Sequence, residues 1–330
     1  MYGTYAVDKR LGQGAFGLVL QVISGSSGES YAAKVSTGDG KMAIVSEADI
    51  QSRLIHPNIL QFITSFDIHH CPQNPILPLP NGVTGDCGVI LLELCSGGSL
   101  ENILDRYKIL TLDQLRMLTK QIGSGLLYLK EQGIIHRDIK PANILFCGGD
   151  AKIGDFGVSK FAEDRNRDLP GTGTPNFMAF ESYTGEYSFA TDVYAFGVTL
   201  YLAYIGKLPF DMPDLNNIRK SYDDRKVWFR KKDKHDDFKN VETLILSMLK
   251  TDQARRIEIK KLMTHPFVST INVEMDDSDD DDDAIADKFK RWKSDFGQGS
   301  REQFYYYLAN RHPSSRMMSM KLFTELWDQL

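Results

Sequence analysis

Cysteine is scarce in this 330-residue chain, and the four present, Cys71, Cys87, Cys95 and Cys147, form no CxxC pair. That excludes a disulfide-stapled scaffold and predicts reduced thiols in a cytosolic setting, or a nuclear one. His69-His70-Cys71 with Cys87 is the nearest approach to a metal cluster, and its spacing matches no standard zinc module. Long apolar runs are absent too, and Asp8, Lys9 and Arg10 follow the start at once. Neither a membrane span nor a signal peptide is therefore expected. Positive charge is not in excess: 39 Lys and Arg stand against 44 Asp and Glu, a net charge of −5, so no nucleic-acid partner is expected. What remains is ordinary globular composition, 42% hydrophobic and 25% charged, sufficient for one large core in two lobes with a small appendage.

Composition changes twice along the chain. Residues 68–88 carry Pro72, Pro75, Pro78, Pro80, Gly82 and Gly85, which predicts a mobile surface insertion that cannot form a strand interior. Later, Asp276 to Asp283 contains seven aspartates around Ser278, a self-repelling solvated run that reads as a linker over 271–283. Beyond it Ile285, Phe289 and Trp292, then Phe323, Trp327 and Leu330, recur at helical spacing. Residues 284–330 thus read as a helical tail or small module, either a partner-binding or autoinhibitory element or a stabilising appendage. Arg225, Lys226, Arg230, Lys231, Lys232 and Lys234 make a basic stretch whose simplest reading is a solvated face.

Chemistry concentrates between these features. Leu11-Gly12-Gln13-Gly14-Ala15-Phe16-Gly17-Leu18-Val19 is a glycine-rich turn, and glycine lets backbone amides approach phosphate oxygens. A dinucleotide site would need a helix after such a turn. Strand-like Leu18 to Ile23 follows instead, then Tyr31-Ala32-Ala33-Lys34-Val35. Downstream, His136-Arg137-Asp138-Ile139-Lys140-Pro141-Ala142-Asn143 is followed twelve residues later by Asp155-Phe156-Gly157, giving a base, a cation and two metal ligands in one stretch.

In this order and spacing the chain resembles the eukaryotic protein kinases, with the glycine-rich loop, VAIK-type strand, HRD loop and DFG loop. Further matches are Glu47 before His56-Pro57-Asn58-Ile59, Ala179-Phe180-Glu181 where the family has Ala-Pro-Glu, Asp192, and Arg256 as partner for Glu181. The resemblance implies an α+β bilobal fold, a β-rich N-lobe with one main helix over 1–95 and a helical C-lobe over 96–270. It implies ATP and Mg2+ as cofactors, Asp138 as acceptor of the substrate hydroxyl proton, and Asn143 and Asp155 as metal ligands. Lys34 would grip the α- and β-phosphates, held by Glu47, with Glu29 as fallback. The glycine loop residues Leu11, Gly12, Gly14 and Gly17 would cover the nucleotide, while Val19, Ala32 and Leu145 sandwich adenine. Glu93 and Cys95 would bind it through hinge backbone, Leu92 would limit pocket depth and Ser99 would reach the ribose.

Lys140, two residues after Asp138, resembles the serine/threonine pattern, and Thr174 fits a hydroxyl bridging Asp138 and Lys140. Proteins with Ser or Thr acceptors are the implied substrates. The stretch from Ser46 to Ile59 and the Gly-Thr-Pro segment look most like the NIMA-related and neighbouring groups. Two departures stand out. Pro170 falls where relatives carry an activation-loop threonine, so Asp164 or Asp168 is expected to supply charge to Arg137, or Thr172 to take over as the switch. Gln51 replaces an apolar residue expected to stack with Phe62, His136 and Phe156, which leaves a pseudokinase or nucleotide-binding scaffold as the alternative.

Overall fold

In the computed structural model the chain divides into two compact units, Met1–Thr270 and Ile271–Leu330. The structure describes residues 4–269 apart from 15–16, 38–39, 72–75, 80–84, 168, 212–219, 221, 223–225 and 230–235. The acidic linker, the helical tail and most of the basic stretch lie outside these residues.

The N-lobe is an antiparallel sheet in the order β1-β2-β3-β5-β4, from β1 (Tyr5–Gly14), β2 (Gly17–Ser24), β3 (Ser30–Thr37), β4 (Phe62–Cys71) and β5 (Gly85–Glu93). Alternation along β2 puts Leu20 and Val22 on one face with Ala33, Val35, Phe66, Ile68 and Val89, all buried. On the opposite face α1 (Gly40–Gln51) brings Ile44 and Ala48 against Leu60, Ile90 and Leu92. Lys34 lies opposite Val19 on one side and Ile90 on the other, which fixes its position on β3.

The 68–88 segment differs from the sequence expectation. β4 continues to Cys71, β5 begins at Gly85, and Ile68 pairs with Cys87 inside the sheet. Between them Leu77 is fully buried, Leu79 nearly so, and the Tyr5 N–H donates to the Ile76 carbonyl at 2.7 Å. Leu77 and Leu79 cover a face of the N-lobe sheet. Residues 76–79 are thus a packed strap and not a surface excursion.

The C-lobe is built on α3 (Leu112–Glu131), opened by a Thr111–Gln114 capping box, and on α4 (Phe189–Ile205), which is buried along nearly its whole length. Around them pack α2 (Leu100–Tyr107), α5 (Asp236–Met248), α6 (Ile259–Met263) and α7 (Pro266–Ser269). Short strands β6 (Ile134–Ile135), β7 (Ile144–Cys147), β8 (Asp150–Ile153) and β9 (Lys160–Phe161) frame the loops that carry the polar residues. Backbone hydrogen bonds are among the connections that tie the lobes. The Leu60 N–H donates to the Ile153 carbonyl, and the hinge after β5 pairs with β7 through Gly97 N–H to Phe146 O and Phe146 N–H to Gly98 O.

That pairing overturns the expectation of four reduced cysteines. Cys95 on the hinge and Cys147 at the end of β7, 52 residues apart in sequence, are joined by a disulfide with a Cα–Cα separation of 4.3 Å. No local spacing announces such a pair, because only the crossing of hinge and β7 makes them neighbours.

Candidate active site

The β1–β2 hairpin closes with Gly14 opposite Gly17. Gly17 has φ of 128°, and a Cβ there would sit 2.1 Å from the Val35 carbonyl oxygen, so no other residue fits without moving β3. Leu11 is exposed and Gly12 faces open space, which leaves the hairpin surface accessible. Beneath it, Ala32, Leu92, Cys95 and Leu145 share one apolar cluster, and Val19 is partly buried on the neighbouring strand.

Lys34 is the first polar anchor. Its Nζ donates to both carboxylate oxygens of Glu47, at 2.7 and 2.6 Å, and to Asp155 Oδ1 at 2.7 Å. Burial pushes the Lys34 amine down, yet the charges of Glu47 and Asp155 outweigh it and hold the group above the ordinary lysine range. For Asp155, burial pulls upward and the Lys34 ammonium more than compensates, so the carboxyl sits below its usual range. Glu29 is exposed and bonded to Tyr31, so it has no part in this cluster.

The second anchor is Asp138. Its Oδ1 accepts from the Thr174 hydroxyl at 2.7 Å and the Thr174 N–H at 3.0 Å, while Oδ2 contacts Lys140 Nζ at 2.7 Å and Asn143 Nδ2 at 3.0 Å. Lys140 Nζ also donates to Thr174 Oγ1 at 2.7 Å, so the threonine bridges acid and ammonium. Asn143 donates as well to the Asp138 carbonyl at 2.8 Å. With its amide nitrogen so used, its amide oxygen is the atom left to face a cation.

The backbone carrying these groups is held from below. Asp192, buried in α4, accepts the N–H groups of His136 and Arg137 at 2.8 Å each. Burial pushes this carboxyl up, opposed by His136 and those two N–H bonds. Arg137 and Asp155 both adopt left-handed φ, 69° and 62°, a conformation non-glycine residues keep only where surroundings enforce it. The His136 ring hydrogen-bonds the Gly154 carbonyl and meets Phe156 edge-on at 5.0 Å, tying the two loops together.

The segment after Thr174 is fixed by Glu181, which accepts from the Arg256 guanidinium in a buried pair. Phe180, in place of proline, packs edge-on against Tyr222 at 5.7 Å, so aromatic contact takes over the role of a rigid φ.

The remaining expected residues have these partners. The Ser99 hydroxyl caps α2 through Asn102 and is not directed at a ribose, because a helix N-terminus at that position needs the acceptor. The Glu93 carboxylate holds Lys152 at 2.7 and 2.9 Å and accepts the Gln61 N–H, and its own N–H donates to the Gln61 carbonyl at 3.0 Å, so a ligand would meet its backbone carbonyl. Gln51 is fully buried; its Nε2 donates to the Leu60 carbonyl at 3.0 Å, while its Oε1 has no partner among the described residues. Arg137 donates to the Val158 carbonyl and lies 5.2 Å over the Tyr187 ring. Of its two expected acids Asp164 is exposed and Asp168 lies outside the described residues. Thr172 donates its hydroxyl to Leu169 O and its N–H to Tyr187 Oη. Tyr187, which no motif singled out, is thus the anchor of this loop.

Comparison with known proteins agrees with this geometry. The protein kinase domain family matches residues 5–268. The chain is 35% identical over 268 residues to the cell cycle serine/threonine-protein kinase CDC5/MSD2 of Saccharomyces cerevisiae, covering 77% of this chain and 35% of that protein. It is 29% identical over 303 residues to the probable serine/threonine-protein kinase fhkE of Dictyostelium discoideum, covering 86% and 40%. It is also 29% identical over 273 residues to the probable CDC5 homolog of Encephalitozoon cuniculi, covering 80% and 54%. None of these three is named as NIMA-related. The chain spans only about a third to a half of these relatives' length. On this match the chain belongs to the protein kinase domain family, and the relatives it resembles are named as serine/threonine-protein kinases.

Proposed function

We propose that the chain is an active ATP-dependent serine/threonine protein kinase acting on protein hydroxyls. The observation that carries this reading is the Asp138 cluster. A carboxylate held by Thr174, Lys140 and Asn143 is aimed and charged to accept a proton from a serine or threonine hydroxyl. Lys140 places an ammonium where negative charge develops during phosphoryl transfer. Lys34, kept protonated by its two acids, supplies a fixed cation for the phosphates. The donor set fits magnesium. Asp155 offers a carboxylate and Asn143 an amide oxygen, both hard ligands, and the ion would neutralise phosphate charge. A phosphoamino-acid analysis with a generic protein substrate tests the reading. Phosphoserine or phosphothreonine is expected from the native chain and a loss of both from Lys34→Met. Transfer that survives Lys34→Met refutes the assigned roles.

A further inference from the structure

The Cys95–Cys147 pair stands at the nucleotide pocket and has no role in the chemistry above. Both residues belong to the apolar cluster that contains Ala32, Leu92 and Leu145, where the adenine would lie on the reading just given. Neither residue is fully buried. The two positions are brought together by backbone and not by chance contact of long side chains. Gly97 and Phe146 are hydrogen-bonded at 3.1 Å, Ser99 and Leu145 form a β-bridge, and a Cβ on Gly97 would lie 2.8 Å from the Phe146 carbonyl oxygen. Glycine at 97 therefore permits the close approach that leaves the cysteine Cα atoms 4.3 Å apart.

We propose that Cys95 and Cys147 are a reversible redox modification site, oxidised by hydroperoxides, and that its oxidation weakens nucleotide binding. One thiolate attacks the O–O bond of the hydroperoxide, forming a sulfenic acid and releasing water or an alcohol after protonation. The second thiol then attacks that sulfur, forming the S–S bond and releasing water. Two thiols lose two electrons and two protons, and the hydroperoxide takes both. A small-molecule dithiol reverses the step by exchange through a mixed disulfide. Covalent linkage draws the hinge against the strand bearing Leu145, whereas separate thiols need van der Waals spacing. Reduction releases that tie, so the reduced form is the one that binds a purine more tightly between Ala32 and Leu145.

The test uses the full chain, reduced with a phosphine and then treated with hydrogen peroxide. Non-reducing peptide mapping should show a Cys95–Cys147 cross-linked peptide only after peroxide. A fluorescent ATP analogue should bind the oxidised form at least threefold more weakly, with recovery on reduction. Cys147→Ser should lose the peroxide response in both measurements. Absence of the cross-linked peptide overturns the modification site, and a cross-link that leaves affinity unchanged overturns its effect on the pocket. If neither form binds nucleotide, the kinase reading fails and the proposed effect on binding falls with it, even where the cross-link is present.

Discussion

Glu181→Ala removes the one charge partner, among the described residues, of a guanidinium whose side chain is fully buried. Arg256 directs its five N–H groups at five acceptors. Nε bonds Lys250 O at 3.0 Å, Nη1 bonds Glu181 Oε1 and Ala190 O, and Nη2 bonds Glu181 Oε2 at 3.1 Å and Thr251 O at 3.3 Å. The alanine variant keeps the three carbonyls and loses both charged bonds, so a buried cation is left uncompensated. Breaking one side of such a pair costs about 3–5 kcal/mol. At about 2–4 °C per kcal/mol for a domain of this size class, the melting temperature should fall by roughly 6–20 °C. Thermal and urea unfolding of the full chain measure it. The double variant Glu181→Leu with Arg256→Met should regain most of the loss, since a well-packed apolar pair replaces a buried ion pair with little penalty. A single variant within about 1 °C of the native protein, or a double variant no better than the single, refutes the reasoning.

Other perturbations follow from the same coordinates. Gln51→Leu removes a buried acceptor without a partner, worth about 1–3 kcal/mol, and gives up one bond to Leu60 O. The melting temperature should rise by a few degrees, and a fall would show that the amide is satisfied. Leu77→Ala should cost about 2–5 kcal/mol because the side chain is fully buried on the N-lobe sheet; a neutral result in urea unfolding would return the strap to a surface loop. Asp155 is held below its ordinary range, so its ion pair stabilises the fold above that range and is lost as pH falls through the folded value. Lys34 is held above its range, so its contribution is complete below the ordinary lysine pKa and is lost as pH rises through the folded value. Without Lys34, burial of Asp155 is opposed by His136 and the Gly157 N–H but no longer by the ammonium, and the acid limb of the urea midpoint in Lys34→Met should flatten. Parallel profiles for the two proteins would contradict this.

The cleft was legible in sequence because phosphoryl transfer demands particular groups on particular backbones. Lys34 on β3, Asp138 and Asn143 on one loop and Asp155 on the next were named from the resemblance to the kinase motifs, as were Asp192 and the Glu181–Arg256 pair. Residues whose role depends on three-dimensional crossing were not legible. Cys95 and Cys147 meet only because the hinge runs beside β7. Leu77 and Leu79 sit in a proline-rich stretch whose local signal says loop, and burial against β2, β3 and β5 overrides it. Tyr187 receives the Thr172 N–H and lies under Arg137, a position that no short pattern marks. Ser99 with Asn102 three residues on has the spacing of a capping box, which marks it as a helix cap.

The most direct measurement is transfer of the labelled γ-phosphoryl group of ATP to protein by the native chain and by Asp138→Asn, with nucleotide affinity determined for both. A general base contributes about 10²–10⁴-fold, so the rate should fall by that factor while nucleotide affinity is retained. Native-like transfer by Asp138→Asn, or no transfer by the native protein while it binds nucleotide, would contradict the account.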